Sequence, residues 1–100
     1  MDKMDKLSYR LIQNYPDCVP VIIRKNVNEQ ILQDIDKERY LIPKNLSVSD
    51  LLFIIRKKLK INSEIFIFVN NLLMSMDITI GSIYNAYKNE NGFLYLTYNI

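Results

Sequence analysis

The sequence contains no histidine, a single cysteine and only two glycines among its 100 residues. The absence of histidine removes the commonest general base and a frequent zinc ligand. Two isolated glycines cannot build the glycine-rich loop that binds phosphate groups. Cys18 has no histidine to activate its thiol and no second cysteine to pair with, so we interpret it as a structural thiol in a reducing compartment. These absences argue against most classes of enzyme.

Long apolar runs are also missing from the sequence. The apolar stretches are interrupted by charged residues and stay well below the ~18 to 20 residues that a membrane-spanning helix needs. The polar residues 1–6 lack the apolar segment of a signal peptide. Because 49% of the residues are hydrophobic and 24% are charged, the composition predicts one intracellular globular domain. The formal net charge of +2 does not by itself require nucleic acid or an anionic membrane as partner.

Hydrophobic periodicity predicts the element order helix, strand, strand, helix, strand, helix, strand. The expected ranges are 5–14, 19–25, 39–43, 48–60, 65–69, 80–88 and 93–98. Ser47 and Asp50 form a capping box before the second helix, and Asp77 or Thr79 can cap the third. The continuous apolar run at 65–69 predicts a central strand buried on both faces. This order predicts an α+β fold of the β-grasp type, a ubiquitin-like roll with an additional N-terminal helix. We therefore divide the chain into a short N-terminal helical extension, 1–14, and a ubiquitin-like domain, 15–100.

The segment 34–43 is the most informative part of the chain, because it joins a charged lead-in to a short apolar strand that a proline closes. Proline has no N–H to donate within a sheet and occurs mainly at edges and strand ends, and charges protect such edges from indiscriminate pairing. Alternation places Tyr40 and Ile42 on one face of the strand. Arg39 and Leu41 then lie on the other face. The segment predicts an open edge to which a peptide strand can be added; the alternative is that these side chains simply fill the core.

The predicted helix at 48–60 has an apolar face that is wider than a core contact requires. At ~100° per residue, Leu51 and Ile54 lie to one side of its main apolar stripe. Phe53 falls nearer the opposite, basic side, and nothing in the sequence shows what covers it. The pattern therefore indicates that this helix carries more apolar side chains than a contact with the core requires.

Six segments follow one another at the intervals seen in a known family. They are YPDCVPV at 15–21, DKERYLIP at 36–43, IRKK at 55–58, IFVNN at 67–71, GSIY at 81–84 and GFLYLTY at 92–98. Over about residues 11–98 the chain resembles the autophagy ubiquitin-like modifiers of the GABARAP and light-chain-three type. An ordered series of motifs is far more specific than any one of them.

The resemblance implies a modifier that is activated through a C-terminal glycine, joined to phosphatidylethanolamine and bound by receptors that carry a short aromatic-x-x-aliphatic motif. Such a protein would catalyse nothing and would need no cofactor or metal. Its implied location is the cytoplasm and the autophagosome membrane. Its implied partners are receptor and adaptor peptides, together with the activating enzyme, the conjugating enzymes and the processing cysteine protease of the conjugation system. Nucleic acid is not among them.

The resemblance also implies a peptide groove with two pockets and a charged rim. The aromatic pocket, for the receptor's aromatic side chain, would consist of Leu11, Pro20, Ile22, Arg39, Leu41 and Phe93. The aliphatic pocket would consist of Tyr40, Ile42, Pro43, Leu46, Leu51 and Ile54. The basic rim of Lys37, Arg56 and Lys58 would face the acidic residues that commonly flank such motifs. Under this assignment Leu51 and Ile54 are the surplus apolar residues of the helix.

The sequence departs from the family pattern in places, and two other functions stay open, the first because of the missing tail and the second because of a basic cluster. It ends at Asn99-Ile100, where the family continues to the activated glycine, so the lipidation site is not present in it. The segment before Tyr15 is short, and the first of the family's two N-terminal helices is expected to be largely absent. A non-lipidated ubiquitin-like adaptor would use the same groove without a membrane. A nucleic-acid module would use Phe53 and the basic residues 56–60, although a charge run at a helix end is more often a solvated face.

Overall fold

The structure, a computed structural model, describes residues 5–35 and 37–100. Expectations that fall on residues 1–4 and on Asp36 lie outside the described residues. The helices are α1 Lys6–Asn14, α2 Val48–Leu59 and α3 Ile80–Tyr87. The strands are β1 Cys18–Lys25, β2 Arg39–Pro43, β3 Phe66–Val69, β4 Leu72–Leu73 and β5 Leu94–Asn99. Apart from β4, each element was expected from the sequence and ends within a residue of its expected bound.

The strands form one five-stranded sheet in the order β2-β1-β5-β3-β4. β1 and β5 are parallel, and the other neighbouring strands are antiparallel. The centre of the sheet is therefore β5, and the expectation that β3 is the central strand is wrong. Ile67 and Val69 of β3 are buried, whereas Phe66 and Phe68 are half-buried. The run 65–69 is apolar on both faces, but only one of those faces is fully covered.

The hydrophobic core lies between one face of the sheet and the helices α2 and α3. The strands contribute Val19, Val21, Ile23, Ile42, Ile67, Val69, Leu94, Leu96 and Tyr98, and the helices contribute Val48, Leu51, Leu52, Ile55, Leu59, Ile80, Ile83 and Tyr84. Leu32 and Ile35, from the loop between β1 and β2, join this cluster. The loop is thus packed against the core, although it has no regular secondary structure.

Side-chain caps fix the beginnings of α2 and α3. The Asp50 N–H donates to the Ser47 hydroxyl at 3.1 Å, and the Ser47 N–H donates to the Asp50 carboxylate at 3.2 Å, which confirms the capping box. Thr79, rather than Asp77, caps α3. Lys60 ends α2 in the left-handed conformation, with φ of 57°. The basic last turn of α2 therefore stands at a sharply defined helix end.

The turn after β3 leads into a strand that the sequence did not predict. Asn70 and Asn71 have φ values of 52° and 66°, and two successive left-handed residues make the tight turn that suits a two-residue hairpin. The hairpin returns as β4, whose Leu72 and Leu73 are 52% and 59% exposed. A strand of two exposed residues has too little periodicity to be recognised in the sequence.

Helix α1 is fixed to the rest of the fold through a buried serine. Ser8 is fully buried, and its hydroxyl lies within hydrogen-bonding distance of the carbonyl oxygens of Asp5 and Asn91. The Asp5 N–H also donates to the Asn91 carbonyl at 2.9 Å. The apolar residues expected to face inward are half-buried: Leu7, Leu11 and Ile12. The start of α1 is therefore held by the segment between α3 and β5, a contact that the sequence did not predict.

Candidate functional site

β2 is an edge strand, as the proline at its end predicts. It pairs with β1 on one side, and no other strand among residues 5–35 and 37–100 pairs with its other side. The Ile23 N–H donates to the Glu38 carbonyl at 2.8 Å, and the Lys44 N–H donates to the Asp17 carbonyl at 2.9 Å. Because hydrogen-bonded pairs alternate along an antiparallel ladder, these bonds show that the even-numbered residues of β2 bond to β1.

The backbone groups of Arg39 and Leu41 consequently point away from β1, towards the open edge. Pro43 faces the same way and has no N–H to donate, so the row of donors ends there. Pro20 lies opposite Leu41, where no bond to β2 is made, and its missing N–H leaves no gap in the ladder. The edge of β2 thus offers a short row of backbone donors and acceptors to an added strand.

The two faces of β2 belong to different layers of the fold. Ile42 is part of the core, and Tyr40 packs against the core on the face that carries α2. Leu41 lies on the other face beside its neighbour Pro20. Helix α1 packs on β1 and covers that second face. The alternation expected along β2 is therefore present, with one helix on each side of the edge strand.

The residues predicted for the aromatic pocket include both buried and exposed side chains. Ile22 and Phe93 are 7% and 4% exposed, and Pro20 is also buried. Leu11 and Leu41 are half-buried, and the side chain of Arg39 is exposed. Ile22 and Phe93 stand outside the main core cluster, so their burial belongs to the layer under α1. An apolar group entering beside Leu41 would meet these side chains.

The residues predicted for the aliphatic pocket lie mainly at the edge of the core. Leu51 is 1% exposed and Ile42 is 7% exposed, so both are core residues of which a ligand could reach only the border. Tyr40 and Leu46 are half-buried and Pro43 is exposed. Ile54 is 39% exposed. Of the two apolar helix residues that the core was not expected to use, only Ile54 is exposed. The interpretation of Leu51 as such a residue is wrong, because Leu51 is part of the core.

The basic rim divides into two places. The Nζ atoms of Lys37 and Lys58 lie 5.2 Å and 5.6 Å from the centroid of the Tyr40 ring, so both cations lie beside a residue that is predicted for the aliphatic pocket. Arg56 instead lies at the end of α2, away from β2. It lines a cleft of about 310 Å³ together with Phe53, Lys57, Lys60, Ile61 and Asn62. At ~100° per residue, Arg56 points away from the side of α2 that carries Lys58. The structure therefore brings two of the three expected rim residues together.

The chemistry of this surface suits recognition. The described residues contain no group of three or more side chains that could hold a metal ion. The pKa shifts with a clear cause lie away from β2: backbone N–H groups, that of Ile100 first, lower the pKa of Glu29, and burial raises the pKa of Tyr84. What converges at β2 is an open backbone edge, half-buried apolar side chains and exposed cations.

Comparison with known proteins decides the family. The family model described as "Autophagy protein Atg8 ubiquitin like" matches residues 3–100. The chain belongs to the Atg8 family. Autophagy-related protein 8a of Arabidopsis thaliana is 40% identical over 94 residues, which are 92% of this chain and 76% of that protein. Autophagy-related protein 8 of Schizosaccharomyces pombe is 39% identical over 100 residues, which are 98% of this chain and 82% of that protein.

A solved structure confirms the fold of this Atg8-family chain. The crystal structure of Trypanosoma brucei ATG8 superposes with a TM-score of 0.86 at 26% sequence identity, and the match covers 92% of this chain and 80% of that one. The expected ubiquitin-like α+β fold is therefore correct. Atg8-family proteins are ubiquitin-like modifiers and adaptors of autophagy, not enzymes, and this chain is one of them. No helix within the described residues is long and apolar enough to cross a bilayer.

Proposed function

We propose that this Atg8-family chain binds short receptor peptides as an added strand along β2 and is joined to phosphatidylethanolamine through a glycine beyond Ile100. The observation that carries the peptide site is the open edge of β2, where the backbone groups of Arg39 and Leu41 face outward. The two apolar pockets proposed beside this edge would hold the anchors of the peptide. A strand added there gains main-chain hydrogen bonds from the edge and specificity from the pockets.

The spacing of the aromatic-x-x-aliphatic motif fits the two faces of β2. In an extended peptide, side chains three positions apart point to opposite faces of the strand. The aromatic side chain would enter beside Leu41 on the α1 side, and the aliphatic side chain would enter between Tyr40 and Ile54 on the α2 side. The two anchors of the motif would therefore point to the same two faces on which the side chains of β2 alternate.

The expected affinity is moderate. An aromatic side chain buries about 150–250 Å², which corresponds to roughly 4–6 kcal/mol at ~25 cal/mol per Å². The loss of motional freedom on association costs about 4–15 kcal/mol and offsets most of this gain. A short peptide with two anchors should therefore bind with a Kd on the order of micromolar or weaker. Such binding suits an adaptor that is crowded on a surface, where several weak contacts act together.

The conjugation part of the proposal rests on family membership. It adds the activating enzyme, the conjugating enzymes and the processing cysteine protease as partners, with the cytoplasm and the autophagosome membrane as locations. β1 lies between β2 and β5 in the sheet, so the peptide edge and the end of the last strand are separate surfaces. Conjugation through a tail after β5 should therefore leave peptide binding unchanged.

Backbone methylation of the ligand tests the peptide site directly. A peptide with the motif is compared by calorimetry with two variants, each N-methylated at one of two adjacent positions between its anchors. Only one of those N–H groups can face β2, because adjacent amides of a strand point in opposite directions. Methylation of that amide should weaken binding by about tenfold, because it removes one main-chain hydrogen bond and introduces a steric clash. Equal, small effects at both positions would show that the peptide does not bind as an added strand.

A tail extension tests the conjugation part. The chain ending at Ile100 should bind receptor peptides but form no thioester with the family's activating enzyme, because Ile100 presents a β-branched residue where a glycine is needed. A chain extended by a native-length tail that ends in glycine should form the thioester and be transferred to phosphatidylethanolamine with unchanged peptide affinity. A thiol-sensitive band from the unextended chain would contradict this.

A further inference from the structure

The loop between β1 and β2 exposes two apolar side chains to an unusual degree. Val27 is 95% exposed and Ile31 is 83% exposed, more than any other large apolar residue that the structure describes. Leu32, the next residue, is 6% exposed and belongs to the core. The loop is therefore anchored from beneath, while these two β-branched side chains extend outward from it.

Hydrogen bonds hold this loop against the end of β5. The Asn26 N–H donates to the Tyr98 carbonyl at 2.9 Å. The carboxylate of Glu29 accepts the N–H of Ile31 at 2.9 Å and the N–H of Ile100 at 3.0 Å. One carboxylate thus fixes both the exposed part of the loop and the last residue of the chain. Val27 and Ile31 flank the point at which the chain leaves the sheet.

Gln33 connects the same end of the molecule to the end of α2. The Tyr98 hydroxyl donates to the Gln33 carbonyl oxygen at 2.9 Å, and the Gln33 side-chain amide donates to the Leu59 carbonyl oxygen at 3.2 Å. Leu59 is the last residue of α2, and Lys60 is its cap. The exit of the chain, the exposed loop and the basic end of α2 therefore form one pole of the fold, which we call the exit pole.

The exit pole carries cations that the described residues do not pair. Arg56, Lys57 and Lys60 line the cleft beside Phe53, and the described ion pairs involve none of the three. The Nζ of Lys57 lies 5.2 Å from the centroid of the Phe53 ring, which is itself 54% exposed. These side chains offer positive charge beside an accessible aromatic ring.

The acidic groups nearby are mostly engaged. The Glu29 carboxylate accepts backbone N–H groups, including that of Leu32. A carboxylate oxygen of Asp34 lies 3.9 Å from the Lys25 Nζ. Glu64, two residues after the cleft residue Asn62, remains as an opposing charge. Arg56, Lys57, Lys60 and Lys25 carry four positive charges, against three negative charges on Glu29, Asp34 and Glu64. The small positive excess at the exit pole, which is concentrated in the cleft, favours an anionic partner with an apolar interior.

We infer that the exit pole is the surface that rests on an anionic phospholipid bilayer, with Val27 and Ile31 inserted at the interface and Arg56, Lys57 and Lys60 facing the head groups. The bilayer is chosen over other occupants because the proposed function attaches lipid beyond Ile100, and this inference rests on that proposal. An extended tail adds at most ~3.5 Å per residue, so about twelve residues would be needed to match the 41 Å long axis of the fold. A shorter tail keeps the exit pole close to the membrane, where apolar and cationic side chains add to binding.

A depth measurement tests this orientation. The chain carries a C-terminal hexahistidine tail and binds vesicles of phosphatidylcholine and phosphatidylserine that contain a nickel-chelating lipid. In a Cys18→Ser background, an environment-sensitive fluorophore is attached at Ile31→Cys or, as the matched control, at Leu73→Cys on the exposed hairpin. Lipids brominated in their acyl chains should reduce the fluorescence at position 31 by about twofold and leave position 73 nearly unchanged. Stronger quenching at position 73, equal quenching at both sites or none at either would overturn the inference.

Charge reversal tests the role of the cleft in the same assay. The double variant Lys57→Glu/Lys60→Glu should lose the quenching at position 31 on vesicles that contain phosphatidylserine. The control Lys44→Glu/Lys88→Glu changes the net charge equally at exposed positions outside the exit pole and should retain the quenching. An equal loss in both variants would show that net charge, rather than the exit pole, determines the orientation.

The outcomes separate this inference from the proposed function. The nickel-chelating lipid supplies the attachment, so no conjugation enzyme takes part in the vesicle assay. A failed thioester reaction of the glycine-extended chain would leave the vesicle result standing as a property of this surface. A failed depth measurement would leave peptide binding and conjugation untouched.

Discussion

Lys58, in the last turn of α2, places its Nζ 5.6 Å from the centroid of the Tyr40 ring on β2. Lys37, which precedes β2, approaches the same ring to 5.2 Å. Cations over an aromatic face are attracted by its negative potential. Tyr40 therefore attracts two lysines that come from separate parts of the chain, one before β2 and one in α2. Two residues predicted for the basic rim therefore share a surface with Tyr40, which is predicted for the aliphatic pocket.

Charge reversal of Lys58 should discriminate between ligands. Lys58→Glu should weaken the binding of peptides with acidic residues beside the motif by several-fold, because it replaces an attraction between exposed charges with a repulsion. The affinity of neutral peptides should stay nearly unchanged. The difference should shrink as salt increases, because salt screens the effect. Calorimetry with matched acidic and neutral peptides at two salt concentrations measures it. Arg56→Glu is the control, since Arg56 lines the other cleft, and an equal loss in both variants would contradict the division of the rim.

Truncation of Ile54 should weaken peptide binding without unfolding the protein. Ile54 is 39% exposed whereas Leu51 is 1% exposed. Ile54→Ala should cost about 1–2 kcal/mol of peptide binding, as expected for an anchor contact, with little loss of stability. Leu51→Ala should instead cost roughly 2–5 kcal/mol of folding free energy, because it leaves a cavity in the core. Calorimetry and urea denaturation of both variants separate the two effects, and full peptide affinity in Ile54→Ala would remove that residue from the site.

Replacement of the buried serine should loosen α1. Ser8→Ala removes a hydroxyl that bonds the Asp5 and Asn91 carbonyls and should lower the free energy of unfolding by about 1 kcal/mol. If Leu11 of α1 belongs to the aromatic pocket, as proposed, peptide binding should weaken as well. Ser49→Ala, at an exposed position of α2, serves as the control. If Ser8→Ala lowers stability but leaves peptide affinity intact, α1 does not shape the aromatic pocket.

Acid should weaken the attachment of the loop to the end of β5. Hydrogen bonds from the N–H groups of Ile100, Leu32 and Ile31 hold the pKa of Glu29 below its usual value of 4.5. A carboxyl whose pKa is lower in the folded state stabilises that state above its unfolded pKa, and this contribution disappears as the pH falls through the folded value. The stability difference between the wild type and Glu29→Gln should therefore be present at pH 7 and vanish at acidic pH. Urea denaturation across this range measures it, and a pH-independent difference would exclude ionisation as the cause.

Elements with two local signals were predictable from the sequence. β2 has apolar alternation and a terminal proline, and α2 has a capping box and a basic last turn; both appear at the expected positions. The strand order was not predictable in the same way, because β5 inserts between β1 and β3 through pairings that no local pattern records. β3 was mistaken for the central strand for this reason, since Phe66 and Phe68 make its sequence apolar on both faces.

For the candidate site, the sequence predicts which face of β2 each side chain lies on, but not how deeply each side chain is buried. The faces of Tyr40 and Leu41 follow from alternation alone, whereas the burial of Leu51 depends on how α2 rotates against the sheet. Ser8 gave no signal, because a buried serine resembles a surface serine until its carbonyl partners are known. The separation of Arg56 from Lys58 follows from helix geometry and could have been derived from ~100° per residue.

The central position of β5 has a consequence for how the chain folds. β5 is the last strand to be synthesised, yet it joins β1, about seventy residues earlier, to β3. The pairs β1–β2 and β3–β4 close over shorter distances along the chain and can form first, whereas the contacts of β5 are of high contact order and form slowly. Until β5 arrives, the inner edges of β1 and β3 stay unpaired, and such edges are prone to aggregate. Before β5 pairs, the described strands therefore form two incomplete halves of a sheet, and β5 unites them.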